Sequence, residues 1–139
     1  MNYYIFALIA AFLFGLAPIF GKLGLEGVNP AIALAIRSLI ITSIMLVWLL
    51  LNNDFGSLAA VSFKSWGLIA LEGICAALLG QLFYYYALKS GEASVAVPII
   101  ATFPLFTFII ATIFLEDKFS FIKVGGILFI VLGVVLLRT

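Results

Sequence analysis

Charge is placed so sparingly along this chain that it leaves five apolar stretches, each close to the length that crosses a bilayer. Tyr3 to Gly21 carries no charge, Ala31 to Leu51 only Arg37, Trp66 to Leu88 only Glu72, Ala93 to Leu115 none, and Phe121 to Leu137 only Lys123. A hydrocarbon core of about 30 Å takes about 20 helical residues to span. Inside it the backbone must satisfy its own polar groups, which leaves helices or closed barrels. Barrel strands alternate apolar and polar residues over about ten positions. These stretches are continuously apolar, so the sequence predicts an all-α integral membrane protein with five transmembrane helices. Composition closes off the alternatives. Of 139 residues 66% are apolar and 9% charged, where soluble domains carry about a quarter charged. A chain this small cannot hide that much apolar surface from water. A soluble enzyme, a nucleic-acid binder and a disordered chain are excluded; the solvent is lipid.

The boundaries have local causes. Asn29 can cap a helix that starts with Pro30, Ser90-Gly91 can end the third helix, and Ser120 can cap the fifth. Only the mixed segment Asn52 to Ser65 is a long connection. Residues 1–139 read as a single domain without a linker. The first stretch lacks a basic leader and exceeds a signal peptide's apolar run, so it is expected to stay as the first helix. No histidine and one cysteine, Cys75, are present. That removes a histidine base, a zinc site and an internal disulfide. No cofactor or metal is expected, and Cys75 reads as a small packing residue.

With five spans, Lys64, Lys118 and Lys123 fall on the side of the N-terminus. Lys22, Lys89 and Arg138 fall on the other side, with Arg37 a little way inside. Lys and Arg counts set membrane orientation, and here they nearly balance. Either a weak bias selects one orientation, or copies insert both ways up and pair as an antiparallel homodimer.

Arg37 and Glu72 are each the seventh residue of a stretch, about 10 Å below opposite surfaces. Intramembrane charges face a cavity or a partner, or snorkel to the interface. In an antiparallel pair Arg37 of one copy and Glu72 of the other reach similar depth. On an ideal helix Gln81 lies about 180° from Glu72, with Tyr84 and Tyr85 beside Gln81 and Phe83 and Tyr86 nearer Glu72. Gln81, Tyr84 and Tyr85 can face a cavity, or the tyrosines can form an interfacial belt. Pro18, Pro98 and Pro104 fall inside stretches, where each frees a carbonyl. Thr102 and Thr107 can bond such carbonyls or face solute. Gly126 and Gly133 share a face of the last helix, suited to close packing or dimerisation.

The stretch YYYALKSGEASVAVPIIATFPLF, the Glu116 that follows, GGILFIVLGVVLL, and earlier FGLAPIFGKLG and NPAIALAIR resemble the EamA-like branch of the drug/metabolite transporter superfamily. The likeness covers nearly the whole chain. It implies one five-helix repeat where the usual chain has two of opposite orientation, hence two copies for a working unit. It implies alternating-access transport of small metabolites, amino acids among them, across the cell's inner membrane. The family cavity, carried onto this sequence, implicates Pro18, Lys22, Gln81, Tyr84, Tyr85, Ser94, Pro98 and Thr102, with Glu116 organising a loop. Glu72 is the one carboxylate well inside a stretch and the candidate for proton coupling. Alternatives are an accessory subunit of a larger transporter and a small four-helix multidrug exporter. The exporter resemblance would require a Glu in the first helix, which is absent. An intramembrane enzyme would need paired carboxylates, a nucleophile with a base, or a metal.

Overall fold

The computed structural model describes residues 3–115 and 120–136, and every regular element among them is helical. Contacts group the chain into two units, Met1–Ser90 and Gly91–Thr139.

The first unit holds α1 (Tyr3–Gly24), α2 (Pro30–Asn52), the short α3 (Phe55–Ala59) and one long rod. The rod runs over Phe63–Ser90 in three parts: α4 (Phe63–Glu72), a π-helical segment (Gly73–Gly80) and α5 (Gln81–Ser90). α1, α2 and the rod are each long and apolar enough to cross a membrane. α2 starts as its Asn-Pro pair dictates: Asn29 Oδ1 accepts the Ala31 N–H at 2.9 Å, with Pro30 in the first turn. Gly27, at φ 70°, makes the tight turn before it. Asn53 ends α2 in the left-handed region, its N–H turned back to the Leu49 and Leu50 carbonyls. The rod begins three residues earlier than expected, because Ser62 Oγ caps it by accepting the Ser65 N–H at 3.1 Å.

Burial in this unit is concentrated at one end. α5 packs against α1 and α2. Leu88 is 0% exposed, Leu25 2% and Leu34 5%, and Pro18 and Pro30 are buried with them. A Cβ on Gly21 would stand 3.3 Å from Leu88 Cδ1, so the missing side chain is what lets Leu88 seat on α1. No residue of α3, α4 or the π segment is buried. Elsewhere the apolar side chains are exposed, as a bilayer solvent requires.

The second unit holds α6 (Ala93–Ile100), α7 (Phe103–Phe114) and α8 (Phe121–Leu136). The span Ala93–Phe114 is apolar and long enough to cross a membrane, but it is two helices rather than one bent helix. Pro104 has no N–H to give the Ile100 carbonyl and crowds it, so the chain turns at Ala101-Thr102 and Pro104 sits in the first turn of α7. Thr102 Oγ1 donates to the Ile99 carbonyl at 2.7 Å, which satisfies one carbonyl at the break. Thr107 and Thr112 likewise donate to Phe103 and Phe108. α8 is 16 residues in its described extent, about 24 Å long; among the described residues four helical stretches, not the expected five, are long and apolar enough to cross a membrane, and α8 is a shorter apolar helix. Leu137, Arg138 and the Glu116 and Lys118 named above lie outside the described residues.

Candidate functional site

The packed end of the first unit holds a cavity of ≈ 550 Å³. α1 supplies Ala17, Gly21 and Gly24, three small residues on one helical face. α2 supplies Ala33, Arg37 and Ile40, also on one face, and α5 supplies Tyr85. Small side chains on both walls leave the space between the helices. Arg37 is the eighth residue of α2, about 10 Å from its start. It is the one charged residue on the wall. The Tyr84 and Tyr85 rings are 6.1 Å apart.

Two lysines fasten this end together. Lys22, in the last turn of α1, donates through Nζ to the Leu88 carbonyl at 2.5 Å. Lys89, in the last turn of α5, donates to the Val28 carbonyl at 2.7 Å. Each bond crosses between α5 and the end of α1 or the turn that follows it. A cation at a helix C-terminus satisfies an orphan carbonyl and opposes the negative end of the dipole. Lys22, implicated above as a cavity residue, is thus committed to a backbone carbonyl.

α5 turns one face inward. Gln81, Tyr84 and Tyr85 are half-buried and Leu88 fully so, whereas Phe83 and Tyr86 are 70% and 46% exposed. Of these polar residues the cavity wall includes Tyr85. Pro18 is buried within α1.

The expected 180° between Glu72 and Gln81 does not hold, because the rod is not an ideal α-helix between them. The Gln81 N–H bonds the Ala76 carbonyl, five residues back. A π turn takes more residues than an α turn, so the angular spacing of an ideal α-helix does not carry across this segment. Glu72 is the tenth residue of the rod and is exposed. It lies about 14 Å from the rod's start, deeper than the seventh position first assigned to it. Cys75 sits in the π segment and is exposed rather than packed.

In the second unit, Ser94 Oγ lies 3.5 Å from Glu92 Oε2, Pro98 is inside α6 and Thr102 is at the break before α7. Gly126 and Gly133 are exposed, and a Cβ on either would meet nothing within 4 Å among the described residues. No cluster of three metal-ligating side chains occurs among the described residues. The small-residue wall of α1 was not singled out from sequence. Its signal was the spacing of Ala17, Gly21 and Gly24 at i, i+4 and i+7, one helical face.

A family model described as the EamA-like transporter family matches residues 1–139. The chain is 26% identical over 131 residues to an uncharacterized transporter in the cobO 3' region of a Sinorhizobium species, covering 94% of this chain and 92% of that one. It is 24% identical over 131 residues to the riboflavin transporter ImpX of Fusobacterium nucleatum, covering 94% of this chain and 44% of that one. A protein of Methanocaldococcus jannaschii is 35% identical over 60 residues, 43% of this chain and 44% of its own length. No solved structure gives a significant match.

Proposed function

The chain belongs to the EamA-like transporter family, and on that premise we propose that this membrane transporter is a secondary exporter of small metabolites, working by alternating access as a homodimer in the cell's inner membrane. The observation that carries the reading is the ≈ 550 Å³ cavity between α1 and α2, with Arg37 and Tyr85 on its wall. Such a volume is typical of small-ligand sites, which are mostly apolar with a few polar groups that fix orientation.

Five spans make one repeat, and α8 is the fifth. Two copies in opposite orientation form an inverted repeat, the architecture around which many transporters rock. Three observations support pairing. The transporter from Sinorhizobium is of similar length, with 92% of it covered by this chain. Gly126 and Gly133 leave an open face on α8. Arg37 and Glu72 lie about 10 and 14 Å from the starts of α2 and the rod, which the five-span reading puts at opposite membrane surfaces, so in an antiparallel pair their depths nearly coincide. Glu72 is the candidate for proton coupling. Gln81 and Tyr84 extend the proposed solute path within the first unit, and Ser94, Pro98 and Thr102 of the second unit stay substrate-binding candidates on the strength of the family resemblance.

Flux into proteoliposomes made from the pure chain tests the reading. The panel contains amino acids, small carboxylic acids and riboflavin, the last because of the name its Fusobacterium relative carries. Accelerated flux of at least one solute over empty liposomes is expected. Absence of flux, together with specific capture of another membrane subunit, would favour an accessory role. Reporters fused after residue 139 should give signal on both sides of the membrane; signal on one side alone rules out the antiparallel pair.

A further inference from the structure

Arg37 lies inside a spanning helix, where a charge is costly, and its side chain is exposed on the open groove between α1 and α2. Among the described residues its side chain makes no hydrogen bond or ion pair. A guanidinium inside a spanning helix faces a cavity or meets an opposite charge, and this one faces a cavity whose wall carries no carboxylate. Guanidinium has donors only, keeps its charge at any physiological pH, and matches a carboxylate with two parallel bonds. Lys22 does not compete for that role, since its ammonium already donates to the Leu88 carbonyl.

We propose that the cavity binds a small organic anion, a monocarboxylate with an apolar body. Arg37 takes the carboxylate, the Tyr85 hydroxyl adds a hydrogen bond, and Phe20, Ile36 and Ile41 receive the body. The assignment rests on the transporter reading and names its substrate class. One cation on the wall selects one anionic group. A second charge on the ligand would lie against apolar side chains without a partner, so it gains nothing from this wall. An ammonium finds no carboxylate there, which sets amines and zwitterionic amino acids below simple acids.

Calorimetric titration of the full chain in lipid nanodiscs at pH 7 tests this with three probes that share one ring: phenylacetate, phenylacetamide and phenethylammonium. At that pH the first is an anion and the last a cation. Phenylacetate is expected to bind about tenfold or more tightly than either of the others, the advantage of a charge-assisted pair over a neutral contact. Arg37→Gln should abolish the preference, and Arg37→Lys should keep part of it by retaining charge without the fork. Tyr85→Phe should weaken phenylacetate severalfold. If the Arg37 variants do not fold, the wild-type ligand series decides alone.

Equal binding of the three probes, preference for the ammonium, or no binding at all overturns the assignment. So does phenylacetate binding that appears only in Glu72→Gln, because Arg37 would then be answered by Glu72 of a second copy. Flux separates this inference from the one beneath it. Bound phenylacetate with no flux of any solute defeats the transport reading and leaves the anion site. Flux of neutral or cationic solutes without an anion preference does the reverse.

Discussion

The two ends of the first unit are built from similar apolar residues and end up in opposite states. At one end Leu88, Leu25 and Leu34 are buried, Leu88 rests on Gly21, and Lys22 and Lys89 each hold a carbonyl across the packing. At the other, α3, α4 and the π segment bury nothing. Hydrophobicity cannot account for the difference, because lipid solvates a leucine as well as another helix does. Helix association in lipid rests on close van der Waals approach and polar bonds. The packed end has both, a glycine under Leu88 and two lysines. The open end has neither, and it carries the π winding that swings Gln81 relative to Glu72. The cavity lies at the packed end, and no residue of the open end lines it.

The largest expected effect follows from Leu88. Leu88→Ala removes the most deeply buried side chain among the described residues and leaves a cavity, which should cost about 2–5 kcal/mol. Leu79→Ala in the π segment, where the side chain is 47% exposed, should cost under about 0.5 kcal/mol. Thermal unfolding of the purified variants in detergent measures both. Equal losses would mean that the open end is packed in the membrane and the contrast is false.

Next come the two glycines that define the ends. A Cβ on Gly21 meets the flexible tip of Leu88 at 3.3 Å, but one on Gly80 meets the Cys75 carbonyl oxygen at 3.0 Å. Gly21→Val should therefore overpack the fixed end, at about 1–3 kcal/mol. Gly80→Ala would ordinarily favour a helix by about 1 kcal/mol. Here backbone must move, and the turn should tighten from π towards α. Cys75 is free and exposed, so its maleimide labelling rate should change severalfold in Gly80→Ala. An unchanged rate with raised stability would sink the idea that Gly80 permits the π winding.

How much of this was legible in the sequence depends on what writes each feature. Four of the five expected span positions were legible because lipid demands long charge-free runs, and the start of α2 was legible because Asn29 and Pro30 act locally. Arg37 and Glu72 stood out as charges in the wrong solvent. The π segment was not legible, since one extra residue per turn leaves no mark on hydropathy, and the angle between Glu72 and Gln81 was wrong for that reason. Pro104 stood out as a proline inside a stretch that frees a carbonyl, yet whether a proline bends a helix or starts a new one depends on what can satisfy the freed carbonyls. Lys22 was assigned to a solute cavity by resemblance. Its bond to Leu88 needs residues 66 positions apart to meet, and no local pattern encodes that.

The lysine bonds should matter at an intermediate level. Lys89→Met keeps the apolar stem and removes the donor to Val28. A charge-assisted hydrogen bond is worth about 1.5–3 kcal/mol when buried. Lys89 is exposed, which lowers the expected loss to about 1 kcal/mol. The same variant should also speed amide exchange at the α1–α2 turn while leaving α4 unchanged. Equal acceleration in α4 would show that the two ends are coupled as one body.

The smallest effect separates the ends most cleanly, because it uses one kind of bond at both. Asn29 Oδ1 caps α2 and Ser62 Oγ caps α4, and either cap alone is worth about 1 kcal/mol. At Asn29 the first turn is tied into the core through buried Pro30 and Leu34, so it cannot open without disturbing the packing. Asn29→Ala should therefore lower global stability by about the full 1 kcal/mol. At Ser62 the first turn of α4 is exposed on every side, and local fraying is decoupled from global unfolding. Ser62→Ala should leave the thermal midpoint unchanged and raise amide exchange only over the first turn of α4. A global loss equal to that of Asn29→Ala would show that α4 is held by contacts made in the membrane, to lipid or to a second copy.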